Sequence, residues 1–141
     1  MTDAVPQFRK ATESADIDAL METLAPDAEL TSPLSGRLVF RGQDDLRILL
    51  TAVYQGISAM RWTDQIGEGT HRVLLGEAYI GPFRMTEAMV IELDQHGRIR
   101  KLSPHIRPWL ALTFLAVTLG ARLIRYPGVM RRASGARPHT P

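Results

Sequence analysis

Met85-Thr86-Glu87-Ala88-Met89-Val90-Ile91-Glu92-Leu93, then Asp94-Gln95-His96-Gly97, then Ile99 to Arg107 reads as two extended runs joined by a tight turn. Asp and Gly supply the turn chemistry, and the flanking runs carry β-branched and apolar residues. Working toward the N-terminus, Arg72 to Gly81 and Ile57 to Gly67 are two further extended segments, with Gly81-Pro82-Phe83-Arg84 as the turn before the hairpin. No helix separates these four segments, so they form an antiparallel meander, and a doubly wound parallel sheet is excluded.

The segments ahead of the meander are helical. Val5, Phe8, Ala11 and Thr12 share one face of a helix over residues 4–15. Ile17, Leu20, Met21 and Leu24 repeat the spacing over residues 17–25, with Asp16 as cap and Pro26 as stop. Ala28 to Thr31 and Leu38 to Phe40 are short extended pieces around the loop Ser32-Pro33-Leu34-Ser35-Gly36. A third helix over residues 43–55 places Leu46, Leu49, Leu50 and Val53 inward, and Tyr54 at its end packs. Three helices followed by a meander is an α+β layout.

The chain of 141 residues suits one domain and excludes a two-domain dinucleotide enzyme. Cysteine is absent, which removes disulfides, thiolate metal sites and cysteine nucleophiles. The four histidines show no metal-ligand spacing, no phosphate loop or nucleophile elbow is present, and no cofactor is implied. The net charge of +2 conceals two halves of opposite sign. Residues 1–94 hold 8 basic and 15 acidic residues, net −7; residues 95–141 hold 9 basic and none acidic, net +9. Such a basic segment faces the acidic half of its own protein, an anionic membrane or nucleic acid. Nucleic acid is disfavoured, because no recognised motif is present and aromatics do not alternate with the arginines.

The N-terminus has no targeting pattern, and the expected location is cytoplasmic. Pro108 opens a last helix reaching about Tyr126, apolar on most sides and too short to span a membrane. It is read as a dimer or sheet contact, a pocket lid or an interfacial membrane contact through residues 109–137. Residues 127–141 are basic, with Gly and Pro, and are expected to be a flexible tail. The expected divisions are therefore a domain over 1–108, an apolar helix over 109–126 and the tail over 127–141.

Four motifs occur in a specific order. Asp16-Ile17-Asp18-Ala19-Leu20 forms a helix junction; Leu24 to Leu30 leads into the first strand. Ser32-Pro33 with Phe40-Arg41-Gly42-Gln43-Asp44 leads into the third helix, and Glu92 to Ile99 forms the hairpin. Together, over residues 5–107, they resemble the nuclear transport factor 2-like superfamily and its SnoaL-like branch. The resemblance implies a cone-shaped, curved antiparallel sheet wrapped around the three N-terminal helices, with a pocket at its open end. Its members include isomerases, cyclases, dehydratases and hydrolases beside non-catalytic binding and dimerisation modules, so fold alone does not assign function.

The ketosteroid isomerase branch uses a carboxylate base, a tyrosine and a protonated aspartic acid, a case well described in general terms. Carried onto this chain, those positions hold Ser32, Phe8 and Met89, none of which can do that work. That isomerase chemistry is rejected. With Met89 facing the pocket, the two-residue period turns Glu87, Ile91 and Leu93 the same way. Pairing Leu93 with Ile99 sets Glu87 opposite His105, a candidate acid/base pair. The plainer reading is a rim pair or a register slip that sends both to solvent. Asp64 beside Trp62 is a second candidate base, unless it stands on an exposed face. Glu77 and Tyr79 belong to the outer face.

The expectation is a homodimeric SnoaL-like protein that binds a small hydrophobic molecule against Phe8, Ser32, Trp62, Met89 and Ile91. The alternatives are an isomerase, cyclase or hydrolase using the Glu87–His105 pair, or Asp64, and a membrane-peripheral module.

Overall fold

The computed structural model describes residues 3–135. Helices α1 (Val5–Ser14) and α2 (Ile17–Glu22) are followed by strands β1 (Leu24–Thr31) and β2 (Val39–Arg41) and helix α3 (Gln43–Gly56). Strands β3 (Ile57–Ile66), β4 (His71–Ile80), β5 (Phe83–Leu93) and β6 (Ile99–Arg107) follow, then α4 (Trp109–Leu123) and α5 (Pro127–Ser134).

The sheet has six strands in the order β2-β1-β6-β5-β4-β3. All neighbours are antiparallel except β1 and β6, which run parallel. That one parallel pair arises because β1 and β6 are joined through the whole meander rather than by a hairpin. β1 begins earlier than its apolar run indicates and contains Pro26. Its pairing with β6 is irregular between Leu24 and Glu29, and a proline lacking an N–H is accommodated at such a break. The curved, open sheet wraps the helices, in the α+β cone arrangement expected.

Apolar periodicity accounts for the helices. α1 buries Val5, Phe8, Ala11 and Thr12. Asp16 caps α2 by accepting the Ala19 N–H at 3.1 Å. α3 buries Leu46, Leu49 and Leu50 against the sheet's concave side. The inward side of β5 alternates strictly, with Met85, Glu87, Met89, Ile91 and Leu93 all buried.

α4 lies across the open end of the sheet, touching α3 and β4 to β6. Ala111, Leu115 and Leu123 are its buried face. Phe114 packs edge-on against Phe83, ring centroids 5.4 Å apart, and lies over Gly81. A Cβ on Gly81 would come within 2.4 Å of that ring, and its φ of +56° also favours glycine.

The expected flexible tail is corrected for residues 127–135. α5 packs on β2, burying Val129 and Ala133. Arg132 donates from Nε and Nη2 to both carboxylate oxygens of the buried Asp45, each at 2.8 Å. That hydrogen bond, then the guanidinium charge, holds the Asp45 carboxyl below its ordinary pKa despite desolvation. Composition suggested mobility because the basic residues are conspicuous; the two small apolar anchors and one distant acid are not. The rest of the expected tail, residues 136–141, lies outside the described residues.

Arg132→Ala should release α5. Amide hydrogen exchange over residues 129–135 is expected to accelerate while β4 and β5 stay protected; unchanged protection there would show that the ion pair does not hold the helix.

Candidate functional site

The space between α3, α4 and the sheet is a cavity of about 130 Å³. Its wall is apolar, with Leu30, Phe40, Leu50, Met89, Leu115 and Leu119 among the lining side chains. Ser32, Tyr54 and Glu87 are the residues with polar side chains in its lining. Of the lining residues, only Leu34, Gly120 and Met130 are exposed, and they mark the mouth.

Glu87 is 6% exposed. Its inward direction follows from the two-residue period of β5. Burial raises its pKa from an ordinary 4.5 to about 7, and no donor among the described residues offsets the lost solvation. Tyr54 reaches the cavity from the last turn of α3. Its phenol is pushed well above its usual pKa, first by desolvation and then by the charge of Glu87. At neutral pH Tyr54 is therefore an O–H donor beside a carboxyl group poised between its two forms.

The expected Glu87–His105 pair does not form. Leu93 does pair with Ile99, but Glu92 pairs with Lys101, leaving Arg100 as an extra residue in β6. This bulge shifts the register by one, so Glu87 faces Ile106 and His105 pairs with Ala88. His105 is exposed on the outer side, its Nδ1 3.1 Å from the Ser103 carbonyl oxygen. Asp64 is exposed as well, accepting the Gln65 N–H at 3.0 Å. An irregularity between Trp62 and Asp64 separates the two residues' faces. Trp62 is buried and its indole N–H donates to Thr12 Oγ1 at 2.8 Å.

The residues expected around the pocket divide in two. Ser32 and Met89 line the cavity; the Ser32 hydroxyl oxygen accepts the Leu34 N–H at 3.0 Å. Phe8, Trp62 and Ile91 are buried but outside the lining, with the Phe8 and Trp62 rings 6.2 Å apart in the core beside α1. Glu77 is on the outer face, holding Arg61 at 2.6 Å and Arg84 at 2.7 Å. Tyr54, read from sequence as packing, is the polar residue that reading missed. The signal was present: Tyr54 follows Leu46 and Leu50 at four-residue steps, the inward stripe of α3.

Because the folded Glu87 keeps a proton that the unfolded chain releases above about pH 4.5, its contribution lowers stability as pH rises toward about 7. The full penalty is about 3 kcal/mol, reached above that range. Glu87→Gln should therefore gain on the parent protein between those pH values in urea unfolding and level off beyond them. Parallel stability curves would contradict the burial of this carboxylate.

Residues 5–102 match the SnoaL-like domain family. No curated protein matches the chain in sequence. Among solved structures, an uncharacterized bacterial protein with a cystatin-like fold from Silicibacter pomeroyi DSS-3 superposes with a TM-score of 0.85 at 21% identity. That match covers 94% of this chain and 95% of the other. A steroid delta-isomerase from Pseudomonas aeruginosa gives 0.79 at 24% identity, covering 89% and 92%. A SnoaL-like protein of unknown function from Burkholderia thailandensis E264 gives 0.62 at 17% identity, covering 74% and 92%. At these identities the likeness is one of fold. The four ordered motifs, the cone-shaped sheet and the match over most of the chain agree: the protein belongs to the SnoaL-like domain family.

Proposed function

We propose that the protein binds a small, largely apolar molecule beneath α4, with one polar group of the ligand turned to Glu87 and Tyr54. The observation that carries this reading is an apolar cavity holding one buried carboxylate that accepts no hydrogen bond among the described residues. A ligand hydroxyl or carbonyl meeting that pair would offset their desolvation by hydrogen bonding. Size narrows the class. An apolar cavity of roughly 150 Å³ holds benzene, so about 130 Å³ suits a single ring or a short branched chain. A four-ring skeleton would have to extend through the mouth.

A second reading, proton transfer, is favoured by the Glu87 pKa of about 7. In that reading the Glu87 carboxylate takes a proton from carbon next to a ligand carbonyl. The C–H electron pair moves into the enolate, whose oxygen accepts a hydrogen bond from Tyr54, and Glu87 returns the proton to carbon. The base then comes from β5, not from the loop position occupied by Ser32.

Two probes separate the readings. Titration with p-cresol, followed by amide shifts, should perturb Tyr54, Met89 and Leu115, and Ala116→Trp should abolish the response; no saturable shift at these residues would overturn ligand binding. Incubation with 2-cyclohexenone in deuterated water should give exchange next to the carbonyl, rising with pH through about 7 and lost in Glu87→Gln. Binding without exchange would leave the first reading and remove the second.

A further inference from the structure

The outer side of α4 is as unusual as its inner side. Trp109 is 70% exposed, Val117 68% and Ile124 78%. Helical spacing puts these three within one face, and Gly120, at the cavity mouth, lies between Val117 and Ile124 on that same face. The mouth's other exposed residues, Leu34 and Met130, are also apolar. Exposed large apolar side chains in a contiguous group mark a contact surface.

Charge identifies the partner. The segments that build this surface, residues 32–38 and 109–134, contain no acidic residue. They carry Arg37, Arg122, Arg125, Arg131 and Arg132, and among the described residues only Arg132 pairs with a carboxylate. Arg125 immediately follows Ile124, and Arg131 follows Met130. On the flank of α4, Arg122 and Arg125 line a groove of about 440 Å³ against α3. There Arg122 Nη1 is buried with no hydrogen-bond partner. Arg122 is therefore turned to α3, whereas Arg37, Arg125 and Arg131 are exposed. Apolar side chains flanked by such exposed cations match the boundary between lipid tails and anionic headgroups. A second copy of the same face would bring these arginines together with no acid on either side to neutralise them. No described helix is long and apolar enough to cross a membrane, so contact would lie in the interface plane.

We propose that the outer face of α4 and the cavity mouth dock on an anionic lipid surface, which places the mouth against the layer where apolar small molecules concentrate. The proposal stands on surface residues and is independent of any chemistry at Glu87.

Sedimentation of the full-length protein with phosphatidylglycerol-containing vesicles, and with phosphatidylcholine vesicles alone, tests it. Pelleting is expected on the anionic vesicles and should weaken as salt rises. Val117→Asp with Ile124→Asp should abolish it; both side chains are exposed, so circular dichroism should stay unchanged. Arg125→Glu with Arg131→Glu should lower partitioning by roughly tenfold or more. Absence of pelleting, pelleting equal on both vesicle types, or pelleting insensitive to both double variants would overturn the proposal. So would a dimer that Val117→Asp with Ile124→Asp dissociates without any vesicle binding, since a second copy would then own the face.

Discussion

An apolar helix laid across the open end of a curved sheet removes one carboxylate from water, and the character of the site follows from that contact. Glu87 lines one cavity with Leu112, Leu115, Leu119 and Leu123 of α4 and with Tyr54 of α3. With Leu115 and Leu123 of α4 buried over the cavity, solvation is lost and no described donor replaces it. The helix is held by packing against α3 and three strands, by Phe114 set edge-on to Phe83 over the bare backbone of Gly81, and by its junction with α5. The pair Arg132–Asp45 anchors α5 to the start of α3. One distant ion pair and one glycine thus help shape a site to which neither belongs.

Two local devices decide which polar groups enter the cavity. The strict alternation of β5 turns Glu87 inward, and the bulge at Arg100 turns His105 outward. A one-residue register change separates a carboxylate–histidine couple from a lone carboxylate, and these are different chemistries. The lone carboxylate is costly to ionise, which suits either a hydrogen bond to a ligand or a proton exchanged with one. Tyr54, entering from the facing helix, supplies a donor that does not ionise near neutrality.

The sequence carried the architecture well because its signals are periodic. The meander, three N-terminal helices and inward face of β5 follow from spacings of two and three to four residues at positions such as Met85 to Leu93 and Leu46 to Val53. The bulge at Arg100 had no such signal, since Ile99-Arg100-Lys101 contains neither Gly nor Pro. The pairings of β6 with β5 and with parallel β1 both shift between Ile99 and Lys101, a tertiary feature with no local sequence mark. Tyr54 was legible as inward-facing, but its meeting with Glu87 depends on how α3 crosses the sheet. Phe8, Trp62 and Ile91, expected to line the pocket, belong to the same apolar core but lie outside the cavity lining, and residue type alone does not distinguish the two places.

Everything proposed for the cavity depends on Glu87 being a desolvated carboxyl group. A carbon-detected NMR titration of the Glu87 side-chain carboxyl, in the full-length protein without ligand, measures that directly. A midpoint near 7 is expected. A midpoint near the ordinary value of 4.5 would mean that water or an unforeseen donor reaches the group, and the reading of the site would fail with it.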